Sequence, residues 1–181
     1  MPASETYVSV DVEADGRIPG EASMLSIGAV AVDQPNQTFY AELKPISERL
    51  VPEALAVSGL DRERLRVEGL DPAEAMAGFS AWVDGLGGHP VFVSFSSWDW
   101  VFVYWYLLRF VGRSPFGHSS LDLKSYYAGR FGADFRATAK RRIARDTPAL
   151  LADLGRHTHN ALDDALEQAE IFRRLRGARP I

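Results

Sequence analysis

His159-Asn-Ala-Leu-Asp-Asp-Ala165 opens the last strongly patterned segment of the sequence, in which apolar residues recur at helical spacing as far as residue 176. Asn160 is placed to cap this helix, and Asp163 follows three residues later, as in a capping box. Asp164 is left without a capping role. His159 precedes the cap, so its ring can turn independently toward whatever Asp164 binds. The alternative is a loop histidine that only packs.

The beginning of the chain carries an acidic pair. Residues 6–12 alternate between apolar and polar side chains, which is the period of a half-buried strand. Asp11 and Glu13 are two residues apart and therefore project from the same face of this strand. Paired carboxylates on a rigid strand suit a hard cation such as Mg²⁺ or Mn²⁺. Without further evidence, such a pair is more typical of acids on the solvent-exposed face of a surface strand than of a metal site.

A further acid lies in the middle of the chain, at a junction between a strand and a helix. Residues 90–95 form a short apolar strand pattern, and residues 98–111 form a strongly apolar helical one. Asp99 lies in the first turn of that helix, where a side chain can point along the carboxyl edge of a sheet. Alone, it is more typical of a first-turn acid that faces the helix dipole.

The remaining patterns predict a mixed sheet with helices packed on it. Strand patterns occur at residues 24–32, 38–43 and, weakly, 119–123, and helical patterns at 72–86, 124–131 and 147–155. Short connections join the first three strands, which predicts an antiparallel meander. Asp71 is a candidate cap for the helix that begins at Pro72. We expect one domain over residues 1–181, with a core at about 6–176.

Composition excludes several classes of protein. The 181 residues contain no cysteine, which rules out disulfides, thiolate zinc sites and a cysteine nucleophile. No run approaches the roughly 18 apolar residues that a membrane helix needs. The first residues lack the basic start and apolar stretch of a secretion signal. We therefore expect a soluble, cytoplasmic protein, with no membrane partner, and a homodimer is left open.

Charge is distributed unevenly along the chain. The formal net charge is −4, but residues 1–90 carry −9 and residues 91–181 carry +5. Seven basic residues and one acid lie between Lys124 and Arg145. A local basic stretch permits contact with nucleic acid phosphates in an otherwise acidic chain. A solvated helix face is an equally good interpretation.

Taken together and in this order, the three acidic motifs resemble the DEDDh 3′–5′ exonucleases. This is the family of ribonuclease T, oligoribonuclease and the proofreading subunit of bacterial DNA polymerase III. Residues 24–30, Met-Leu-Ser-Ile-Gly-Ala-Val, are similar to the second strand of the family, and residues 51–60 to the segment that follows its third strand. The likeness extends from about Tyr7 to Leu175.

The resemblance implies a ribonuclease H-like α/β fold, a five-stranded mixed sheet flanked by helices. It implies that Asp11, Glu13, Asp99 and Asp164 hold two Mg²⁺ or Mn²⁺ ions and that His159 is the general base. Four carboxylates in one cleft repel one another unless cations neutralise them. The implied reaction is the hydrolysis of single-stranded nucleic acid from its 3′ end, which releases nucleoside 5′-monophosphates.

Details of the motifs bear on the substrate. Asp-Val-Glu-Ala14 and Ser-Trp-Asp99 are closer to the branch with the eukaryotic histone-mRNA and small-RNA 3′ exonucleases, which favours RNA over DNA. Many relatives have Thr or Ser where this chain has Ala14. Residues 94–98 also lack the Asn that many relatives carry before the second motif. A proofreading-type DNA exonuclease and a catalytically silent binding member are the alternatives.

Several residues beside the motifs are candidate substrate contacts: Ala14, Phe95, Trp98, Arg141 and Arg142. The aromatic side chains are able to stack on a terminal base, although aromatic residues in such a helix are more typical of a core. The arginines precede the third motif and are placed to contact phosphates of the incoming strand. His157 is a rival to His159 as the base, but its spacing to Asp164 does not match the family motif.

Overall fold

The computed structural model describes residues 4–154 and 159–178, which contain one five-stranded sheet. The strands are β1 (Glu5–Ala14), β2 (Met24–Ala31), β3 (Gln34–Glu42), β4 (His89–Ser94) and β5 (Ser120–Asp122). Their order across the sheet is β3-β2-β1-β4-β5. The first three strands are antiparallel, and β4 and β5 run parallel to β1. The predicted meander and the mixed sheet are therefore confirmed.

Helices cover both faces of this sheet. They are α1 (Pro52–Ser58), α2 (Arg62–Glu68), α3 (Pro72–Gly85), α4 (Ser97–Phe110), α5 (Leu123–Phe131), α6 (Lys140–Asp146) and α7 (Ala161–Gly177). One core lies between the sheet and helices α3 and α4, and a second lies between the sheet and helices α5, α6 and α7. The predicted cap at Asp71 is confirmed, because its side chain accepts a hydrogen bond of 2.8 Å from the amide of Ala73. None of the helices within the described residues is long and apolar enough to cross a membrane.

Two predicted boundaries are wrong. β3 begins at Gln34, four residues before the predicted start, because the turn is confined to Val32 and Asp33. Pro35 is tolerated there because β3 is an edge strand. The helix predicted from residue 147 is absent from residues 147–154, where only a 3₁₀ turn at Pro148–Leu150 occurs. Thr147 precedes a proline and leaves the helical region, so α6 ends at Asp146.

The N-terminal turn of α7 rests directly on the sheet. Gly28 of β2 lies opposite Asp11 of β1, and a Cβ atom at this glycine would come within 2.2 Å of the carbonyl carbon of Ala161. The hydroxyl of Ser9 donates a hydrogen bond of 2.8 Å to the carbonyl of Ala165. The absence of a side chain at Gly28 thus lets α7 lie close to the acidic residues of β1.

A buried ion pair holds the loop after β1. Asp15 accepts hydrogen bonds from the Arg62 guanidinium at 2.8 Å and from the amide of Ser23 at 2.6 Å. Arg62 also donates to the carbonyl of Ser47. Both members of the ion pair are almost completely buried. This contact fixes α2 against the end of β1, two residues beyond Glu13.

Candidate active site

Asp11 and Glu13 lie on the face of β1 that is turned toward α7. The valines that alternate with them, Val10 and Val12, belong to the core on the opposite face. Each of the two acids is 9% exposed. The alternation predicted from the sequence therefore places both carboxylates at one site, above a fully apolar anchor.

Asp99 reaches this site from the neighbouring strand. β4 is parallel to β1, and α4 begins three residues after β4 ends at Ser94. The carboxyl end of a parallel strand is where α/β folds present functional side chains. Asp99 is buried in the first turn of α4, close to Asp11 and Asp164.

His159 and Asp164 come from the start of α7. Asn160 caps the helix, since its side-chain oxygen accepts hydrogen bonds from the amides of Leu162 and Asp163 at 3.0 and 3.2 Å. His159 precedes the cap, as predicted, and has a left-handed φ of 55°. Single ligand atoms of Glu13, His159 and Asp164 all lie within 4.8 Å of one another. The first and last motifs of the sequence thus meet in space.

An open cavity of about 750 Å³ adjoins these residues. Asp11, Glu13, Asp99 and His159 line it, and so do three of the predicted substrate contacts, Ala14, Phe95 and Trp98. The other two predicted contacts, Arg141 and Arg142, are exposed on α6 and are not lining residues. His157 lies outside the described residues.

Asp11, Glu13, Asp99 and Asp164 form an acidic cluster, in which burial and repulsion raise the pKa values of Asp11, Glu13 and Asp99. The pKa of Asp11 is well above its usual range, first because of burial and then because the other three acids repel its charge. Burial is also the largest cause for Glu13, whose pKa rises to about 8, and Asp164 and Asp99 add to it. The pKa of Asp99 rises to about 7 through burial, against the effect of backbone hydrogen bonds at Asp99 itself and at Val12.

This donor set fits a hard divalent cation. Carboxylate oxygens are the ligands that Mg²⁺ and Mn²⁺ prefer, and a nearby cation reverses the repulsion that raises the pKa values. The short distances among Glu13, His159 and Asp164 meet the geometric requirement for a shared ion. Without cations, the raised pKa values of Asp11 and Glu13 favour protonation of this cluster, so protons and divalent cations compete for it.

Gln168 supports the acidic cluster and was not predicted from the sequence. Its amide nitrogen donates a hydrogen bond of 2.6 Å to Asp11, and its amide oxygen accepts one of 2.8 Å from the backbone amide of Phe95. The residue is buried. Its position four residues after Asp164, on the same face of α7, is a signal that could have identified it.

Three further lining residues were also missed. Lys140, the first residue of α6, places its ammonium 5.3 Å from the centre of the Phe95 ring and 2.6 Å from Glu167. Ala54 and Val57 of α1 add apolar surface to the same cavity, although α1 is far from α6 in the sequence. Only the fold brings α1 and α6 to one cavity, so no local pattern marks these residues.

Comparisons with known proteins agree with this geometry. No protein-family model matches the chain. The chain is 45% identical over 174 residues to the 3′-5′ DNA exonuclease Cap18 of Escherichia coli, covering 93% of this chain and 90% of that protein. Its fold is similar to that of the nuclease domain of 3′hExo, a DEDDh family member solved bound to rAMP. In that comparison the TM-score is 0.75 and the identity 13%, over 95% of this chain and 92% of the other.

A second solved structure shares the fold. Exonuclease I of E. coli, in complex with a dT13 oligonucleotide, matches with a TM-score of 0.70 and 13% identity over 96% of this chain and 41% of that chain. At 13% identity the solved structures establish only the ribonuclease H-like fold. The 45% identity to Cap18 establishes that the chain is related to the 3′–5′ exonucleases. The chain belongs to the DEDDh family of 3′–5′ exonucleases.

Proposed function

We propose that this enzyme removes nucleotides one at a time from the 3′ end of single-stranded DNA and releases nucleoside 5′-monophosphates. The convergence of Glu13, His159 and Asp164 within 4.8 Å, beside a cavity that Asp11 and Asp99 also line, carries this proposal. The cavity volume is in the range of about 300–1,000 Å³ that is usual for small-ligand sites, so it accommodates one terminal nucleotide.

Asp11, Glu13, Asp99 and Asp164 would hold two divalent cations, Mg²⁺ or Mn²⁺. When bound, such a pair supplies charge neutralisation and Lewis acidity for phosphodiester hydrolysis. Fixed carboxylates are needed for this, and each acid of the cluster is held on a strand or in the first turn of a helix. Gln168 further restrains the carboxylate of Asp11 through its hydrogen bond.

His159 accepts the proton of the attacking water in this proposal. Its imidazole lies beside Glu13 and Asp164 and lines the open cavity. Because His159 precedes the cap of α7 and lines the open cavity, its imidazole is placed to reach a water in that cavity.

The terminal nucleotide lies between the acidic cluster and the aromatic side of the cavity. Phe95 and Trp98 offer ring faces for its base, and the backbone at Ala14 offers close approach to its sugar. Arg141 and Arg142, on the surface of α6, contact phosphates of the strand beyond the cavity.

DNA is the proposed polymer, although the motif details favour RNA. The relative named a 3′-5′ DNA exonuclease shares 45% identity with this chain over most of both proteins, which supports DNA. The experiment therefore compares 5′-labelled single-stranded DNA and RNA of the same sequence with Mg²⁺, with Mn²⁺ and with EDTA. We expect DNA products that shorten from the 3′ end by one nucleotide at a time, and no products in EDTA.

Two substitutions and a control complete this test. His159→Ala should reduce the rate at least 100-fold, since general bases contribute roughly 10²–10⁴-fold. Asp164→Asn should also lower the rate and raise the metal concentration that is needed, because it removes one of the carboxylates that would hold the cations. His118→Ala, at an exposed histidine that does not line the cavity, should cleave as the wild type does. Faster shortening of RNA than of DNA would overturn the choice of polymer. Binding of either polymer without metal-dependent shortening would overturn the proposed activity.

A further inference from the structure

An exposed aromatic side chain lies beside a cation on the segment that precedes α6. Phe135 begins a 3₁₀ turn, Phe135–Thr138, and is 59% exposed. The ammonium of Lys124 lies 5.1 Å from the centre of its ring. Arg136 and Arg141 are exposed on the same stretch of chain. We call Lys124, Phe135, Arg136, Lys140 and Arg141 the α6 ridge.

We propose that the α6 ridge binds the part of the DNA strand that precedes its terminal nucleotide, with one base stacked on Phe135 and phosphates bound by Arg136 and Arg141. This inference rests on the proposed function, because the 3′ end of the same strand has to occupy the cavity. It defines the substrate as a single strand several nucleotides long rather than an isolated terminal nucleotide.

Continuity with the cavity is the first argument. Lys140 belongs to both the ridge and the cavity wall, where its ammonium lies 2.6 Å from Glu167. Phe135 precedes Lys140 by five residues, so their Cα atoms are at most about 18 Å apart even in a fully extended chain. A strand that leaves the cavity past Lys140 thus reaches Phe135 within a few nucleotides.

The chemistry of the ridge is the second argument. An exposed aromatic ring beside cations is how proteins bind single strands without sequence preference, through base stacking and backbone charge. The cation–π contact with Lys124 restrains the ring, which lowers the entropic cost of stacking a base on it.

Charge is the third argument. Several cations in or beside the ridge are already engaged: Lys140 pairs with Glu167, Arg145 with Asp146, and Arg130 bonds to backbone carbonyls near the end of α7. Among the residues that the structure describes, no carboxylate forms an ion pair with Arg136 or Arg141. These two guanidinium groups are available to phosphates, in a chain whose net charge is otherwise negative.

The test compares two substrates that differ in length. A 20-nucleotide oligo-dT reaches the ridge, whereas the p-nitrophenyl ester of thymidine 5′-monophosphate fills only the terminal position. Phe135→Ala should lower kcat/KM for the 20-mer about 5- to 150-fold, the range expected for one stacked base, and leave kcat/KM for the ester unchanged. Val67→Ala, at a side chain of α2 that is 80% exposed, is the matched control and should change neither value.

Binding at several salt concentrations tests the phosphate contacts in EDTA, where no cleavage occurs. The double variant Arg136→Ala/Arg141→Ala should reduce the slope of log Kd against log salt by about 1.4, since each lost contact to a single strand removes about 0.7. Arg109→Ala, at an exposed arginine of α4, should leave this slope unchanged.

The possible results separate the two proposals. A wild-type enzyme that cleaves neither substrate overturns the proposed function, and the salt-dependent binding alone then decides the role of the ridge. If the wild type cleaves both and Phe135→Ala cleaves the 20-mer as well as wild type does, the ridge proposal is overturned. An equal loss on both substrates also overturns it, because that pattern indicates a change in the cavity rather than in strand binding.

Discussion

Replacing Gln168 by methionine tests how far the site depends on residues that do not touch the substrate. Methionine has nearly the length and volume of glutamine but forms neither hydrogen bond. The variant therefore removes the 2.6 Å bond to Asp11 and the 2.8 Å bond from the amide of Phe95 while the packing of α7 is kept. Gln168 is only 3% exposed, although it borders the open cavity, so both bonds lie largely out of solvent.

The expected magnitude follows from these two contacts. A hydrogen bond to a charged group is worth about 1.5–3 kcal/mol, and the loss of a residue that orients a metal ligand typically costs about 10- to 100-fold in metal affinity or activity. We expect kcat to fall and the Mn²⁺ concentration for half-maximal rate to rise, each within this range. The unpaired amide of Phe95 should lower the free energy of unfolding by about 1–3 kcal/mol.

A change in pH dependence distinguishes positioning from a general loss of stability. The bond from Gln168 lowers the pKa of Asp11 against the effect of burial, so its removal raises that pKa further. The acidic limb of the rate profile should therefore move to higher pH in Gln168→Met, with rates measured on single-stranded DNA at saturating Mn²⁺. Gln37→Met, at an exposed position of β3, is the control. A Gln168→Met enzyme with a wild-type rate, metal dependence and acidic limb would refute the positioning role.

Three other features give direct tests. Gly28→Ala should lower the free energy of unfolding by about 1–3 kcal/mol and reduce cleavage, because a methyl group there collides with the start of α7. Gly78→Ala, with no close neighbour, is the control and should leave cleavage intact. A Gly28→Ala protein with the wild-type Tm and the wild-type cleavage rate would contradict this. Arg62→Leu leaves the buried carboxylate of Asp15 unpaired and should cost about 3–5 kcal/mol in urea unfolding, and a cost below 1 kcal/mol would argue against a buried charge. In EDTA, the folded protein retains a proton on Glu13 that the unfolded chain releases, so stability should fall as pH rises from about 4.5 to about 8. Adding Mg²⁺ should then raise Tm more at pH 8 than at pH 5.5, and an equal increase at both values would count against cation binding by this group.

The residues predicted from the sequence are those whose placement depends on local structure. Alternation along β1 is sufficient to place Asp11 and Glu13 on one face, and the cap at Asn160 is sufficient to place His159 before α7 and Asp164 within its first turn. Asp99 follows from a strand that ends and a helix that begins nearby. In each case a few neighbouring residues determine the direction of the side chain, so a local sequence pattern is enough to predict where it points.

The residues that were missed depend on contacts between distant parts of the chain. Gln168 meets Asp11 across 157 positions and Arg62 meets Asp15 across 47, and neither pairing follows from a local pattern. The helix predicted from residue 147 is absent for another reason. The apolar spacing there is helical, but the proline that follows Thr147 disfavours the helical conformation at Thr147, and only a 3₁₀ turn forms.

The supports that the sequence did not reveal explain how a cluster of buried acids persists in a folded protein. Repulsion among the four carboxylates opposes folding in the absence of cations, as the raised pKa values of Asp11 and Glu13 indicate. Three residues of this segment are hydrogen-bonded to other elements. Ser9 bonds to Ala165, Asp11 to Gln168 and Asp15 to Arg62. The strand is therefore anchored before, within and after the acidic pair, so the carboxylates cannot separate to relieve their repulsion. Protonation relieves it at low pH and bound cations relieve it at higher pH, where a ligand present at 100 times its Kd adds about 2.7 kcal/mol of stability. The same rigidity that makes the metal-free site unfavourable thus favours cation binding at the proposed cleavage site.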